Sequence, residues 1–510
     1  MRALYAPSRY HRVAGPVCVV GARMGRRCGL QPADQLLFAA RQRILSLICL
    51  QYLLLSAAVL FPYSACGLGP HEILLLVNTN SHRSIEIGEE FARLRQVPAC
   101  NIVYLSIPEE GGKCPVAISR DVFTKRIWDP STEAIRDRGI GDHILAWVYS
   151  IDFPIRISAS RQMSTQGITF LRNRSVDDRL IERGSWLSPL FSGPDGPKRR
   201  SFPSQSFDVA SAWLGDGMPL PSMMLGYAGE RGNSIEAITT CLRRGVVSDH
   251  SFPSARILFV TGNDVRAKTR TWQFEPARQP LANAGVSVLI TNDIPAGQAN
   301  LIGIMMGEAT VTPERYGTLL PGSIADHLTS WAAGFDIAGQ TKISAWIDAG
   351  ATVSAGTVTE PMSIWSKFPS AWLYVHYVAG CTAIESVFQS VRCPLQLMVV
   401  GEPLACPWTH EAKVDLAGLV EGQVVSGLLS VQAVVTSSSD RAFSRVVFLL
   451  DGRTAPGVSD VKAAKKRGSD AIDIDTVSLR NGPHTLRVVA YSTGSVRQQV
   501  FLERAFAVRN

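Results

Sequence analysis

The run Glu72-Ile-Leu-Leu-Leu-Val-Asn-Thr-Asn80 is continuous apolar sequence closed by turn formers. A strand buried on both faces reads this way, because it has no face to give to water. Residues 81–95 follow with Ile85, Ile87, Phe91 and Leu94 at roughly helical spacing, and Pro98 stops the pattern before a second strand over 101–107. A helix over 119–137 and a strand over 143–150 repeat the alternation. Strand and helix alternating at this spacing imply βαβ units, and so an α/β fold with a mainly parallel sheet covered by helices. The same texture returns in a helix over 234–244, strands over 255–261, 286–290 and 301–306, a helix over 340–349 ending at Gly350, and a strand over 351–355. Between them, residues 158–222 are polar and lack a period, as functional loops or linkers do.

Past Pro407-Trp408 the pattern changes to short strand-like runs over 423–427, 429–435, 445–452, 475–479, 484–491 and 500–507. Asp451-Gly452 and Asn481-Gly482 are turn signals between them. Short strands at this density over 411–510 predict an immunoglobulin-like (Ig-like) β-sandwich. At the other end, residues 1–66 carry eight arginines against one acid, Asp34, which is +7 of the chain's net +8. The remainder is nearly neutral, so no nucleic-acid footprint is assigned. The basic flank leads into an apolar run over 44–61 and small residues before Cys66, the arrangement of an export signal with a long leader. A retained membrane anchor is the second reading, since the run is nearly long enough to span, and a buried core helix is the third. Ser64-Ala65-Cys66 is loosely similar to a lipoprotein processing site, with Tyr63 departing from it. The 510 residues, 46% hydrophobic and 18% charged, thus divide into a leader (1–66), an α/β domain (67–408) and a sandwich (411–510).

Outside the leader stand Cys100, Cys114, Cys241, Cys381, Cys393 and Cys406. None forms a Cys-x-x-Cys, so no structural zinc is assigned. In an oxidising compartment Cys100 with Cys114, and two of the last three, are candidates for pairing; free buried thiols are the alternative.

Sites in α/β folds gather at strand ends, and residues 320–408 crowd His327, Ser330 and Glu360 there among several Gly and Pro. His327 and Ser330 are three apart, which makes them neighbours on a helix and opposed on a strand. They form a base and nucleophile only if both turn to one cavity; otherwise local backbone satisfies them. Glu360 lies in a loop at a strand's carboxyl end, with capping as its plain alternative. Asp177-Asp178 lacks metal-ligand spacing and reads as a solvated turn rather than a cation site. Asp264 reads as a helix cap. Arg266 and Arg270, four apart, either grip an anion or pair with surface acids. Cys381 sits at a helix entry, but without a base it is assigned to packing or a disulfide. No cofactor and no metal is assigned.

Several segments, among them Leu75-Leu-Val-Asn-Thr-Asn-Ser81, Gly322-Ser-Ile-Ala-Asp-His-Leu-Thr-Ser330 and Gly356-Thr-Val-Thr-Glu-Pro361, resemble an uncharacterised family of exported bacterial proteins. More distantly, Gly350-Ala351 and Gly401-Glu402-Pro403-Leu404 resemble features of the gingipain-like cysteine peptidases of caspase-like fold. In those a strand ends in the nucleophilic Cys, a helix and a Gly-Ala strand follow, and a Gly-Asp-Pro-x-Leu signature comes near the end. Here Thr329-Ser330 stands at the Cys position, Gly307-Glu308 at the His-Gly position, and Glu402 replaces the Asp. The resemblance implies a caspase-like scaffold without its dyad. Two functions follow. One is an exported envelope or surface protein that binds an extracellular protein or polysaccharide and touches a membrane only through an N-terminal anchor. The other is a hydrolase with a site rebuilt around His327, Ser330 and Glu360.

Overall fold

The computed structural model describes residues 67–159, 162–292, 297–437, 442–455 and 470–510. The leader, with its export and anchor readings, lies outside the described residues. The opening apolar run forms β1 (Ile73–Asn78), buried along its whole length. Ser81 caps α1 (His82–Arg95) by accepting from the Ser84 amide, and Gln96 ends it in left-handed backbone. Then follow β2 (Ile102–Leu105), α2 (Asp129–Arg138), β3 (Ala146–Tyr149), α3 (Thr165–Phe170), α4 (Phe207–Leu214), β4 (Ser222–Met224) and α5 (Ile235–Ser248). The chain continues through β5 (Arg256–Val260), α6 (Phe274–Asn283), β6 (Ser287–Thr291), β7 (Gln298–Gly307), β8 (Gly317–Leu328), α7 (Ile343–Asp348), β9 (Val353–Thr357), α8 (Trp372–Val378), α9 (Ala383–Ser390) and β10 (Leu397–Gly401).

These strands make one sheet in the order β2-β1-β3-β4-β10-β9-β8-β7-β5-β6. Pairing is parallel from β2 to β4 and again from β9 to β6. β10 runs antiparallel to β9, with Val353 opposite Gly401 and Thr357 opposite Leu397. Helices cover the sheet: α1 packs on β1 and α5, and α8 packs on α9 and α6. The mainly parallel sheet expected from the alternation is present. The pattern over 324–333 is too short and mixed to give a helix or a strand; its first five residues, 324–328, end the long strand β8. Residues 158–222 hold more order than their pattern implied. They include α3, α4 and the strand Met163–Ser164, which joins Ala117–Ser119 and Arg156–Ser158 in a small sheet.

Three sequence readings meet specific structural answers. Asp264 caps the short helix Val265–Lys268, as expected, by accepting from the Arg266 amide. Arg270 is no surface anion grip: it is buried, bonded to Asp326 and to the carbonyls of Pro369 and Met306, each at 2.8 Å. Cys100 and Cys114 are free thiols, as are Cys241, Cys381 and Cys393, so the pairings suggested among them are corrected. Cys406 is disulfide-bonded, and its partner is not among the described residues.

The C-terminal segment forms β11 (Ala412–Ala417), β12 (Gln423–Val425), β13 (Leu428–Ser437), β14 (Phe443–Leu450), β15 (Arg453–Thr454), β16 (Ala471–Asp475), β17 (Gly482–Ser492) and β18 (Gln499–Val508). A three-stranded sheet β11-β13-β16 and a five-stranded sheet β12-β18-β17-β14-β15 result. Strict alternation on β11 buries Ala412, Val414 and Leu416. They join Phe448, Leu486, Val488, Val500 and Phe506 in a hydrophobic core separate from that of the α/β body. Body and β-module nonetheless form one compact unit. No helix among the described residues is long and apolar enough to cross a membrane.

Candidate functional site at the carboxyl edge of the sheet

The structure does not bring the three expected site residues together. His327 lies on β8, buried against Trp346 with ring centroids 6.0 Å apart. Its Nε2 donates to the Glu308 carbonyl at 2.7 Å, which leaves Nδ1 as the unprotonated nitrogen, buried and without a partner among the described residues. Burial pushes this imidazole down to about 4, so it is a weak base at neutral pH. Ser330 lies in the turn after β8, and no hydrogen bond joins it to His327 among the described residues. Thr329 beside it donates to Gln340 Oε1. Glu360 is exposed and accepts from the Met362 amide at 2.9 Å. It lines a separate cavity of ≈290 Å³ with Glu182, Lys367 and Gln396, reached by neither His327 nor Ser330. Cys381 is fully buried, and burial followed by Glu385 pushes its thiol well up, the reverse of activation.

A larger crevice of ≈560 Å³ opens where β1 and β3 end. The connections on either side of that point leave in opposite directions, to β2 and to β4, and crevices form at such switch points. Asn78, the buried last residue of β1, donates through Nδ2 to the Asp152 carbonyl at 2.7 Å. Asp152 holds left-handed backbone, φ 57°, which costs a non-glycine residue on the order of 1 kcal/mol. Its carboxylate accepts from Ser81 Oγ at 2.5 Å and Arg83 Nη2 at 3.1 Å, and Arg83 Nη1 reaches the Ala228 carbonyl at 3.2 Å. The loop after β8 closes the far wall. Phe335 stacks on Tyr227 at 3.9 Å between centroids, and Asp336, bonded to Arg156, lines the crevice.

The chemistry of this lining favours holding a ligand over reacting with it. Ser81 and Arg83 begin α1, and a helix start at a switch point is a ready anion site. Asp152 already fills that place with its own carboxylate, so the crevice does not offer a phosphate its usual seat. Burial, then Asp152 and Glu109, pushes the Cys114 thiol up to about 12. Burial, then Asp336, Cys114 and Asp152, pushes the Tyr227 hydroxyl up to about 12. Both keep their protons at neutral pH and serve as donors rather than nucleophiles. Among the described residues no cluster of His, Cys, Asp and Glu could hold a metal. Asp177 accepts from the Arg179 amide as the cap of the helix Asp178–Glu182.

Sequence reasoning missed Asp152 and Arg83. The signal for their neighbours was present, since Asn78-Thr-Asn-Ser81 marks the carboxyl end of β1. It also missed a Ser–His contact: Ser204 Oγ lies 2.8 Å from His376 Nδ1. Burial pushes His376 down to about 3, and its Nε2 has no partner, so this pair lacks the orienting acid and the basicity of a catalytic one.

No family model matches the chain, and no curated protein does. Among solved structures, the fibronectin(III)-like modules of Clostridium thermocellum CbhA are 18% identical over 23% of this chain and 54% of theirs, with a TM-score of 0.15. The chain thus spans about half the length of that structure. The endo-β-1,4-mannanase from Thermotoga petrophila is 10% identical over 75% of this chain and 82% of its own, with a TM-score of 0.16. Both scores are too low to assign a shared fold.

Proposed function

We propose that the chain is an exported envelope or surface protein that binds an extracellular partner through the crevice between β1 and β3. Its α/β body is read as a caspase-like scaffold without the thiol dyad, and its C-terminal β-module as an Ig-like spacer. The scaffold reading is supported by the order β8, α7, Gly350-Ala351, β9, with Gly401-Glu402-Pro403-Leu404 following β10. The positions that would carry the dyad hold Thr329-Ser330 and Gly307-Glu308. Export is supported by the disulfide at Cys406, since such bonds persist in oxidising compartments. One observation carries the binding role: a roomy crevice in which Asp152 pairs with Arg83, Asp336 pairs with Arg156, and Cys114 and Tyr227 keep their protons. Such a lining suits a neutral, hydrogen-bonding protein or polysaccharide segment over an anion. The test is binding of the purified chain, from residue 67 onward, to glycan and peptide arrays. Asp152→Ala frees Ser81 and Arg83 and is expected to weaken binding on the order of tenfold or more. Binding untouched by Asp152→Ala and Arg83→Ala would place the partner elsewhere.

The hydrolase alternative makes a distinct prediction. With Nε2 of His327 committed to a carbonyl, a fluorophosphonate probe is expected to leave Ser330 unlabelled in the folded protein. Labelling abolished by both Ser330→Ala and His327→Ala would instead establish a serine hydrolase.

A further inference from the structure

The junction between the α/β body and the β-module buries carboxylic acids without matching cations. Glu72, just before β1, accepts from the Gly69 amide at 2.9 Å, from Gln499 Nε2 of β18 at 2.6 Å and from the Tyr491 hydroxyl of β17 at 3.1 Å. Glu385, in the first turn of α9, accepts from the Thr382 amide at 2.8 Å, Thr382 Oγ1 at 2.9 Å and the Phe207 amide of α4 at 2.8 Å. Asp208 on α4 has its own cation, Arg497, at 2.9 Å. Among the described residues no Lys or Arg stands in ion-pair reach of Glu72 or Glu385; the nearest basic group to Glu72 is His71, at 3.8 Å.

The surroundings deny both acids a counter-charge. His71 Nε2 meets the Tyr491 hydroxyl at 2.9 Å, and burial, then His143, Arg487 and Arg445, keep that imidazole neutral. Arg445 lies over the Tyr491 ring and Arg487 pairs with Glu503, so both cations are engaged. On the other side, Glu385 faces Asp208 and the Cys381 thiol. Burial without a cation makes each carboxylate costly when ionised, and the hydrogen bonds donated to it offset only part of that cost. Burial therefore pushes Glu72 up to about 8, helped by Asp208, and Glu385 up to about 7.

We propose that this junction is a proton-operated clasp: Glu72 in its acid form closes the β-module onto the body, and its ionisation loosens β17 and β18 from residues 67–72, whereas Glu385 bonds only groups of the body. The clasp ties module position to ambient pH while leaving the parallel sheet intact. Hydrogen–deuterium exchange on the chain from residue 67 tests it, compared at about pH 6 and about pH 9 as protection factors corrected for intrinsic rates. Protection of β17, β18 and residues 67–72 is expected to fall roughly tenfold or more at the higher pH, while β1 and β3 hold theirs. In the Glu72→Gln variant the same amides should stay protected at both pH values. Glutamine keeps the acid's shape and donor but cannot ionise. An equal fall in the variant, or no fall in the parent, overturns the clasp. Isotope-edited infrared of the unmodified protein keeps the test open if the variant fails to fold. A carboxylate band from Glu72 already present at about pH 6 would overturn it as well.

Discussion

Arg95→Leu is expected to lower the free energy of unfolding by about 3–5 kcal/mol, the range for removing one partner of a buried charge network. Arg95 closes α1 and is 5% exposed. Its Nε and Nη2 meet Glu402 at 2.9 and 2.6 Å, and its Nη1 meets Asp249. Burial alone would lower the guanidinium's pKa, but Asp249 and Glu402 more than offset it and hold the group above its ordinary value. Without Arg95, two acids that are 4% exposed or less are left facing each other with no cation, and like charges add to the desolvation cost. Glu402→Gln should cost less, about 1–3 kcal/mol, because Asp249 still pairs with Arg95 and the amide keeps one hydrogen bond. Urea unfolding reads the difference as a shift of midpoint at constant slope. An Arg95→Leu protein within about 1 kcal/mol of the parent would show that the cluster is solvated or dispensable. Glu402, just past the end of β10, thus reaches Arg95 at the end of α1.

What the chain reveals of itself depends on where each polar group finds its partner. β1 is legible because its whole length is apolar and its end is marked by turn formers. β8 is not, because Asp326 and His327 interrupt its period. Their partners, Arg270 and the Glu308 carbonyl, stand 56 and 19 residues away, beyond any local window. The candidate crevice divides in the same way. Ser81 can be read as a cap beside a strand end, but Asp152, which neutralises that corner, lies 71 residues from it. Glu360 was placed correctly in a loop after a strand. Which cavity that loop faces is decided by Lys367 and Gln396, and that is tertiary information. In the β-module, β13 is legible because its period-two alternation survives, whereas the strand expected over 475–479 lies one step earlier as β16, with a 3-10 turn over Thr476–Ser478, and sequence reasoning missed β11.

Thermal stability is expected to peak near pH 6.5, and the sign on each side follows from five buried groups without a charged partner; burial also raises Asp326 and Glu402, but Arg270 and Arg95 oppose that rise. Burial pushes His327 down to about 4, His376 down to about 3 and His71 well below 6.5, so the folded chain keeps all three neutral. Their contribution is complete above pH 6.5 and is lost as pH falls through that value, where the unfolded histidines take up protons. Glu72 and Glu385 act in the opposite sense. Raised from 4.5 to about 8 and about 7, they contribute fully below pH 4.5 and lose that contribution as pH rises through those values. Between about pH 4.5 and 6.5 the unfolded chain therefore holds protons on three histidines and the folded chain on two glutamates, so stability rises with pH. Above 6.5 the two glutamates still differ, and stability falls. At 1.36 kcal/mol per pH unit over the roughly 1.5 units between pH 6.5 and about 8, Glu72 alone accounts for about 2 kcal/mol of that alkaline loss. Melting temperatures across this range should trace an asymmetric dome, and Glu72→Gln should flatten its alkaline limb while leaving the acid limb in place. A melting curve still climbing at about pH 8 would mean that both acids are ionised in the folded chain. The junction would then have to supply a cation that none of the described side chains around Glu72 or Glu385 provides.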